Sequence, residues 1–256
     1  MSEKNSSPSQ ITGIRGVIEL LEKSPETVEH VYIRKDQHSR PVGYILELCR
    51  RNGAKFSLVE RSALDRMGGH NHQGVVARLG LLPWVALETL LDIARHAPLP
   101  LVLALDQLQD PGNVGTLART LYALGGAGLI LPKHNSAYLG SDALRASAGS
   151  LPLLTISRVT NLGTALQDCA GAGFNIYAAE AADRGGENLF SARLELPAVL
   201  LLGNEEKGAR PGVLQHVRRL LHIPLAREFD SLNVAQAGAI CIAWFAAARM
   251  QAVGTL

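Results

Sequence analysis

Five polar side chains stand in three glycine-bearing stretches, each close behind an apolar run. Asn113 and Arg119 lie in "DPGNVGTLART", Glu205 lies in "GNEEKG", and Ser231 and Asn233 lie in "IPLAREFDSLNVAQAG". A guanidinium is almost always charged and is a poor base. Arg119 can therefore offer electrostatic help, holding an anion and stabilising charge that develops beside it. Gly112, Gly115 and Gly203 free the backbone for tight turns and close approach. Each stretch also has a purely structural reading. Residues 110–115 could be a turn with a helix cap, and Gly203-Asn204 a strand-ending turn beside solvated Glu205 and Glu206. Ser231 or Asn233 could cap the last helix. The combination favours a site, because ligands of open parallel sheets settle where loops leave the carboxyl ends of strands. A metal centre is not expected: the only close histidine pair, "HNH" at 70–72, reads as a polar loop entering "HQGVVA".

The elements that would position these groups follow from hydrophobic periodicity. "GIRGVIELLEK" has Val17, Leu20 and Leu21 on one helical face. "HVYIRK", "KFSLVE" and "HQGVVARLG" read as strands, and "PVGYILELCRRNG" as a helix stopped by Gly53. These elements form a small α/β domain over 11–80, behind a polar tail at 1–10. Residues 81–98 contain a connecting helix closed by two prolines. From residue 99 the pattern becomes βαβ. "LVLALD" is an unbroken apolar run, as a parallel strand covered on both faces requires. "VGTLARTLYALG" is a helix with Arg119 in its second turn, and "GLILP" is the next strand. "LPLLTI", "FNIYAAE", "AVLLLGNE" and "LLHIPL" are later strands, with a helix at "LGTALQDCAGAG" and a short one around Val213. Such alternation implies a parallel sheet with helices on both faces. The last helix, "NVAQAGAICIAWFAAARMQ", is apolar all round and must be covered by the core or by another subunit.

Composition sets outer limits. With 256 residues, 47% hydrophobic and 19% charged, the chain can bury a sizeable core. No apolar run approaches the roughly 18 residues of a membrane span. Cys49, Cys169 and Cys241 are widely separated and carry no metal or redox spacing, which points to a reduced, cytoplasmic setting. The net charge of +2 neither demands nor excludes nucleic acid. Small basic groups, Arg34-Lys35 and Arg50-Arg51 with Lys55, lie in the first hundred residues and read most simply as solvated surface.

The three loops in this order resemble the signature motifs of the SpoU/TrmH class of knotted RNA methyltransferases. "DPGNVGTLART", "LLGNEEKGARPGVL" and "IPLAREFDSLNVAQAGAICIAW" carry the resemblance. "LRASAGSLPLLTISRVTNL" is similar to the middle segment of that class. "GIRGVIELLE" and "HQGVVARLG" are similar to the small RNA-binding domain of its ribosomal RNA subgroup. The resemblance implies an α/β domain over 99–256 with a deep trefoil knot, a homodimer through that domain, and S-adenosylmethionine as methyl donor to a ribose 2′-hydroxyl. It assigns Arg119 to the target phosphate and ribose, Asn113 to the RNA-facing side of the cofactor, and Glu205 to orienting the arginine or the nucleotide. Ser231 and Asn233 complete the pocket, while Gly203, Ile223 and Leu232 hold the cofactor largely through backbone. The small domain favours large-subunit ribosomal RNA, with a guanosine as target, over transfer RNA. No membrane partner is expected.

Two other classes compete. A Rossmann-type enzyme would need G-x-G-x-x-G after the first strand, where "DQLQDPGNVG" stands; "GGAG" at 125–128 ends a helix rather than opening one. A non-catalytic RNA-binding scaffold would account for the small domain but not for the five polar side chains together.

Overall fold

The computed structural model describes residues 10–23, 25–69, 71–79, 84–205, 207–227 and 231–254. The expected tail falls outside these except for Gln10, which opens a strand, and His70 of the histidine pair falls outside them too. The first region comprises β1 (Gln10–Thr12), α1 (Ile14–Lys23), β2 (Val28–Arg34), α2 (Arg40–Asn52), β3 (Phe56–Val59), α3 (Arg61–Gly68) and β4 (Val75–Leu79). Its sheet runs β1-β4-β2-β3, with β4 antiparallel to both neighbours and β2 parallel to β3. The apolar face of α1 buries Val17, Leu20 and Leu21, as its spacing requires. Gly53 ends α2 in the left-handed conformation, φ 68°, and donates its N–H to the Arg50 and Cys49 carbonyls.

The second region comprises β5 (Trp84–Val85), α4 (Leu87–His96), β6 (Leu101–Leu105), α5 (Pro111–Ala123), β7 (Gly128–Pro132), α6 (Ser141–Ala146), β8 (Thr155–Val159), α7 (Leu162–Gly171), β9 (Asn175–Ala179), β10 (Glu187–Asn188), β11 (Ala198–Leu202), α8 (Pro211–Leu214), β12 (Arg219–His222) and α9 (Val234–Ala252). Its sheet has eight strands in the order β10-β12-β9-β11-β6-β7-β8-β5, all parallel. The unbroken apolar run of β6 is explained by its two faces. Leu101, Leu103 and Leu105 join one core with Leu117, Leu121 and Phe245, whereas Val102 and Ala104 join another with Leu90, Leu166 and Cys169. Within the segment expected to be a connector, β5 pairs with β8 and α4 buries Leu90, Leu91 and Ala94 in that second core. The connector is thus part of the sheet's own packing. "LPLLTI" is not a strand throughout: a 3-10 turn covers Leu151–Leu153, where Pro152 lacks a ladder N–H, and pairing starts at Thr155.

All three cysteines are free and buried. Burial pushes the Cys49 thiol up to about 11 and those of Cys169 and Cys241 to about 12, so they act as small apolar fillers. Helix α9 buries one face, with Val234, Gly238, Cys241, Ile242 and Phe245 inside. Its opposite face, equally apolar, leaves Trp244 half-buried and Met250 45% exposed.

Candidate active site

The chain runs from β6 outward to β7 and β8, crosses to β9, and then inserts β11 between β9 and β6. The direction of winding therefore reverses between β6 and β11, the kind of crevice in which open α/β sheets hold ligands. The loops bearing Asn113 and Glu205 leave those two strands.

Local chemistry sets each loop. Asp110 accepts the Gly112 N–H at 2.8 Å, and Pro111 occupies the first turn without sacrificing a ladder donor. Helix α5 consequently begins at Pro111, and Arg119 sits in its third turn rather than its second. The cap expected as an alternative to function is real, and it aims Asn113 at the crevice. Asn233 is likewise the cap of α9: its Oδ1 accepts from Ala235 N at 2.9 Å and from Gln236 N at 3.4 Å. Its amide nitrogen remains available, and donates to Asn113 Oδ1 at 3.2 Å. Asn113 in turn donates to Glu205 Oε1 at 2.7 Å. Side chains 120 and 92 positions apart in sequence are joined in one directed chain of hydrogen bonds.

Arg119 is exposed, about 9 Å along the axis from Asn113 at helical rise. Among the described residues it makes no hydrogen bond or ion pair, so its guanidinium is free for a ligand. Ser231 is exposed and outside the hydrogen-bonded chain. Ile223 is half-buried and packs on the larger core, and Leu232 is half-buried just before the α9 cap. Gly203 is buried where its loop folds back on itself. A Cβ there would stand 2.1 Å from Ala209 N, and Asn204 and Gly208 exchange backbone hydrogen bonds at 3.1 and 2.9 Å. Close approach at Gly115 is made by α6 and not by a ligand, since a Cβ would lie 2.3 Å from the Ala143 carbonyl oxygen. That corrects the expectation of substrate approach at this glycine.

Two buried carboxylates were not anticipated. Asp106, fully buried at the end of β6, receives the Arg210 guanidinium at 2.7 Å and the Arg210 backbone N–H at 2.9 Å. The Glu180 side chain, 2% exposed at the end of β9, accepts the Ala209 N–H at 3.0 Å. In the sequence each reads as an ordinary charge at a strand end. His72 accepts the Gly74 N–H at Nδ1, 2.8 Å away, and its Nε2 lies 3.0 Å from Asp65, a turn-holding role. No group of three or more His, Cys, Asp or Glu side chains converges as metal ligands would among the described residues.

The cofactor expected here can be tested against this frame. The level just past the strand ends carries backbone at Gly203, the apolar Ile223, and His222 Nδ1, which is buried without a hydrogen-bond partner among the described residues. Backbone groups, an apolar wall and an unsatisfied ring nitrogen suit a nucleoside-bearing cofactor.

Comparison with known proteins agrees with that frame. Residues 100–243 match the SpoU rRNA Methylase family, and residues 10–83 match the RNA 2′-O ribose methyltransferase substrate binding family. A 23S rRNA (guanosine-2′-O-)-methyltransferase of Haemophilus influenzae, RlmB, is 33% identical over 91% of the chain and 95% of its own length. The Streptomyces viridochromogenes SpoU methyltransferase AviRb, solved with AdoMet, shares the fold at a TM-score of 0.80 and 23% identity over 97% of this chain and 94% of that one. An rRNA methyltransferase of Sinorhizobium meliloti gives a TM-score of 0.76 at 25% identity, covering 94% of this chain and 87% of that one. With over half its length matched by one family model and nearly all of it aligned to a relative, the chain belongs to the SpoU rRNA methylase family.

Proposed function

We propose that the protein transfers a methyl group from S-adenosylmethionine to a ribose 2′-hydroxyl of RNA, on a guanosine of large-subunit ribosomal RNA. The observation that carries this reading is the Asn233–Asn113–Glu205 chain at the switch point. The likeness to RlmB of Haemophilus influenzae supports the substrate, and the match of residues 10–83 supports an RNA-binding role for the small domain at 11–80.

S-adenosylmethionine supplies the electrophilic methyl when bound. Gly203, Ile223 and Leu232 would hold it through backbone groups and apolar contact. Arg119 holds the phosphate beside the target ribose and stabilises the alkoxide that develops as the hydroxyl proton passes to solvent water. A permanently charged guanidinium does this without giving up its own proton. Glu205 spends one oxygen on Asn113 and keeps the other for the guanidinium or the target base. Ser231 and Asn233 close the pocket on the ribose side, where the target nucleotide is splayed from a single-stranded loop.

The same proposal includes a trefoil knot formed by the loops after β11 and β12. A sheet order that sends β12 past β11 to the far side of β9 supports it. It also includes a homodimer. Phe190, 45% exposed, meets Trp244 edge-on at 5.3 Å, and with Met250 it extends the apolar outer face of α9. A cytoplasmic setting belongs with the substrate. No helix among the described residues is long and apolar enough to cross a membrane.

The deciding experiment is methyl incorporation from labelled S-adenosylmethionine into unmodified ribosomal and transfer RNA, side by side. Label in ribosomal RNA, at one ribose resistant to alkaline cleavage, is the expected result. Label in transfer RNA alone would reassign the small domain. No cofactor binding by calorimetry would leave an RNA-binding scaffold.

A further inference from the structure

The Gly203–Arg210 loop is held from both sides by charge. Register puts Asp106, Gly203 and Glu180 at one level, the first residues past the ends of β6, β11 and β9. Because β11 lies between the other two strands, the acids flank its loop. Two successive backbone N–H groups, of Ala209 and Arg210, are taken in opposite directions: the first by Glu180 Oε1, the second by Asp106 Oδ2. Asp106 Oδ1 also accepts from Arg210 Nε and Nη2 at 2.9 and 2.7 Å, a forked pair. Beyond Glu180, Arg184 donates to the Lys207 carbonyl at 2.8 Å. Asn204 donates at 3.2 Å to the carbonyl of Gln107, a non-glycine residue held at φ 58°.

Burying a carboxylate is costly unless every lone pair is met, and buried ion pairs are weak devices for stability alone. They do fix geometry. We infer that Asp106 and Glu180 are positioning residues that set the Gly203–Arg210 loop before any ligand arrives, and thereby place Glu205 against Asn113 and the loop backbone against the cofactor. The inference rests on the proposed function for what the loop serves. It goes beyond that reading by assigning the loop's shape to two acids outside the pocket and to Arg210, the partner of Asp106. The Asp106 arm also ties the loop to the segment leading into α5, so cofactor loop and Asn113 are aligned through one pair.

The test uses the full chain with Asp106→Asn, Glu180→Gln, Arg210→Gln and Arg210→Lys, each characterised below its own melting temperature. Loss of a charge-assisted hydrogen bond should weaken S-adenosylmethionine binding about tenfold or more by calorimetry. It should also lower kcat, with the RNA KM unchanged. Arg210→Lys, which keeps the charge and loses the fork, should fall between the parent and Arg210→Gln. The Arg210 side chain is 45% exposed, so the Arg210 variants should fold even where the change at a buried acid does not. Faster amide exchange at Ala209 and Arg210 in the variants is expected in either case. Parent cofactor affinity, kcat and exchange in folded Asp106→Asn or Arg210→Gln would overturn the inference. A parent that binds no cofactor, with exchange at Ala209 and Arg210 still accelerated in the variants, would remove the proposed function and leave the clamp standing.

Discussion

The two sheets handle charge in opposite ways. Around the small one, exposed ion pairs lie at the surface: Lys23 with Glu19 and Lys35 with Glu60. Such pairs add little stability and leave their groups free to exchange partners. At the carboxyl edge of the large sheet, Asp106 and Glu180 are buried, each bound to a backbone N–H, and one is 104 positions from its partner. The contrast separates two tasks on one chain. A surface that meets a long polyanion profits from solvated, adaptable charge, whereas a surface that aligns one hydroxyl needs groups that do not move.

The strongest way to break this comparison lies at Arg119. Arg119→Ala should lower kcat/KM by about a thousandfold, the scale of losing a donor to developing oxyanion charge, while calorimetric cofactor affinity stays at the parent value. Near-normal turnover would remove Arg119 from the chemistry. Asn113→Ala cuts the hydrogen-bonded chain in its middle. It should cost about ten- to a hundredfold in kcat, with the larger loss if Glu205 then swings free. An equal loss in cofactor affinity would place Asn113 in binding instead.

In the last turn of α2, beside the small sheet, Arg50→Ala with Arg51→Ala should raise the RNA KM a few-fold, flatten its dependence on log salt by about two units of slope, and leave kcat alone. A fall in kcat with an unchanged salt slope would mean that the two regions are not divided as described. The smallest effect concerns His30. Burial and then the neighbouring Arg78 lower its pKa below the ordinary histidine value of 6.5. The folded state thus favours the neutral ring, and this contribution is present above pH 6.5 and lost as pH falls through the lower folded value. Urea midpoints at pH 7.5 and 5.5 should show less acid sensitivity in His30→Gln than in the parent; identical profiles would remove the assignment.

Much of this was legible in the sequence, for identifiable reasons. "GLILP" is β7 from end to end because glycine breaks one boundary and proline the other. The three loops were visible because each follows an apolar strand. Helices α3 and α6 escaped notice because eight and six residues hold too few turns for periodicity to speak. The two-residue strands β5 and β10 exist only through their neighbours. Asp106 and Glu180 read as ordinary strand-end charges, since what distinguishes them is an N–H arriving from a segment far along the chain. The hydrogen bond from Asn113 to Glu205 was similarly hidden: sequence order suggests a shared crevice, and only the insertion of β11 beside β6 makes them touch.

That insertion also has a consequence in time. Strand β11 enters between β9 and β6 only after long chain segments have closed, and such late closures slow folding. Helices α5 and α7, built from near neighbours, have no such wait. During refolding, helical signal should therefore return well before affinity for a ligand does, and for that interval the chain is largely folded yet blind to its substrate.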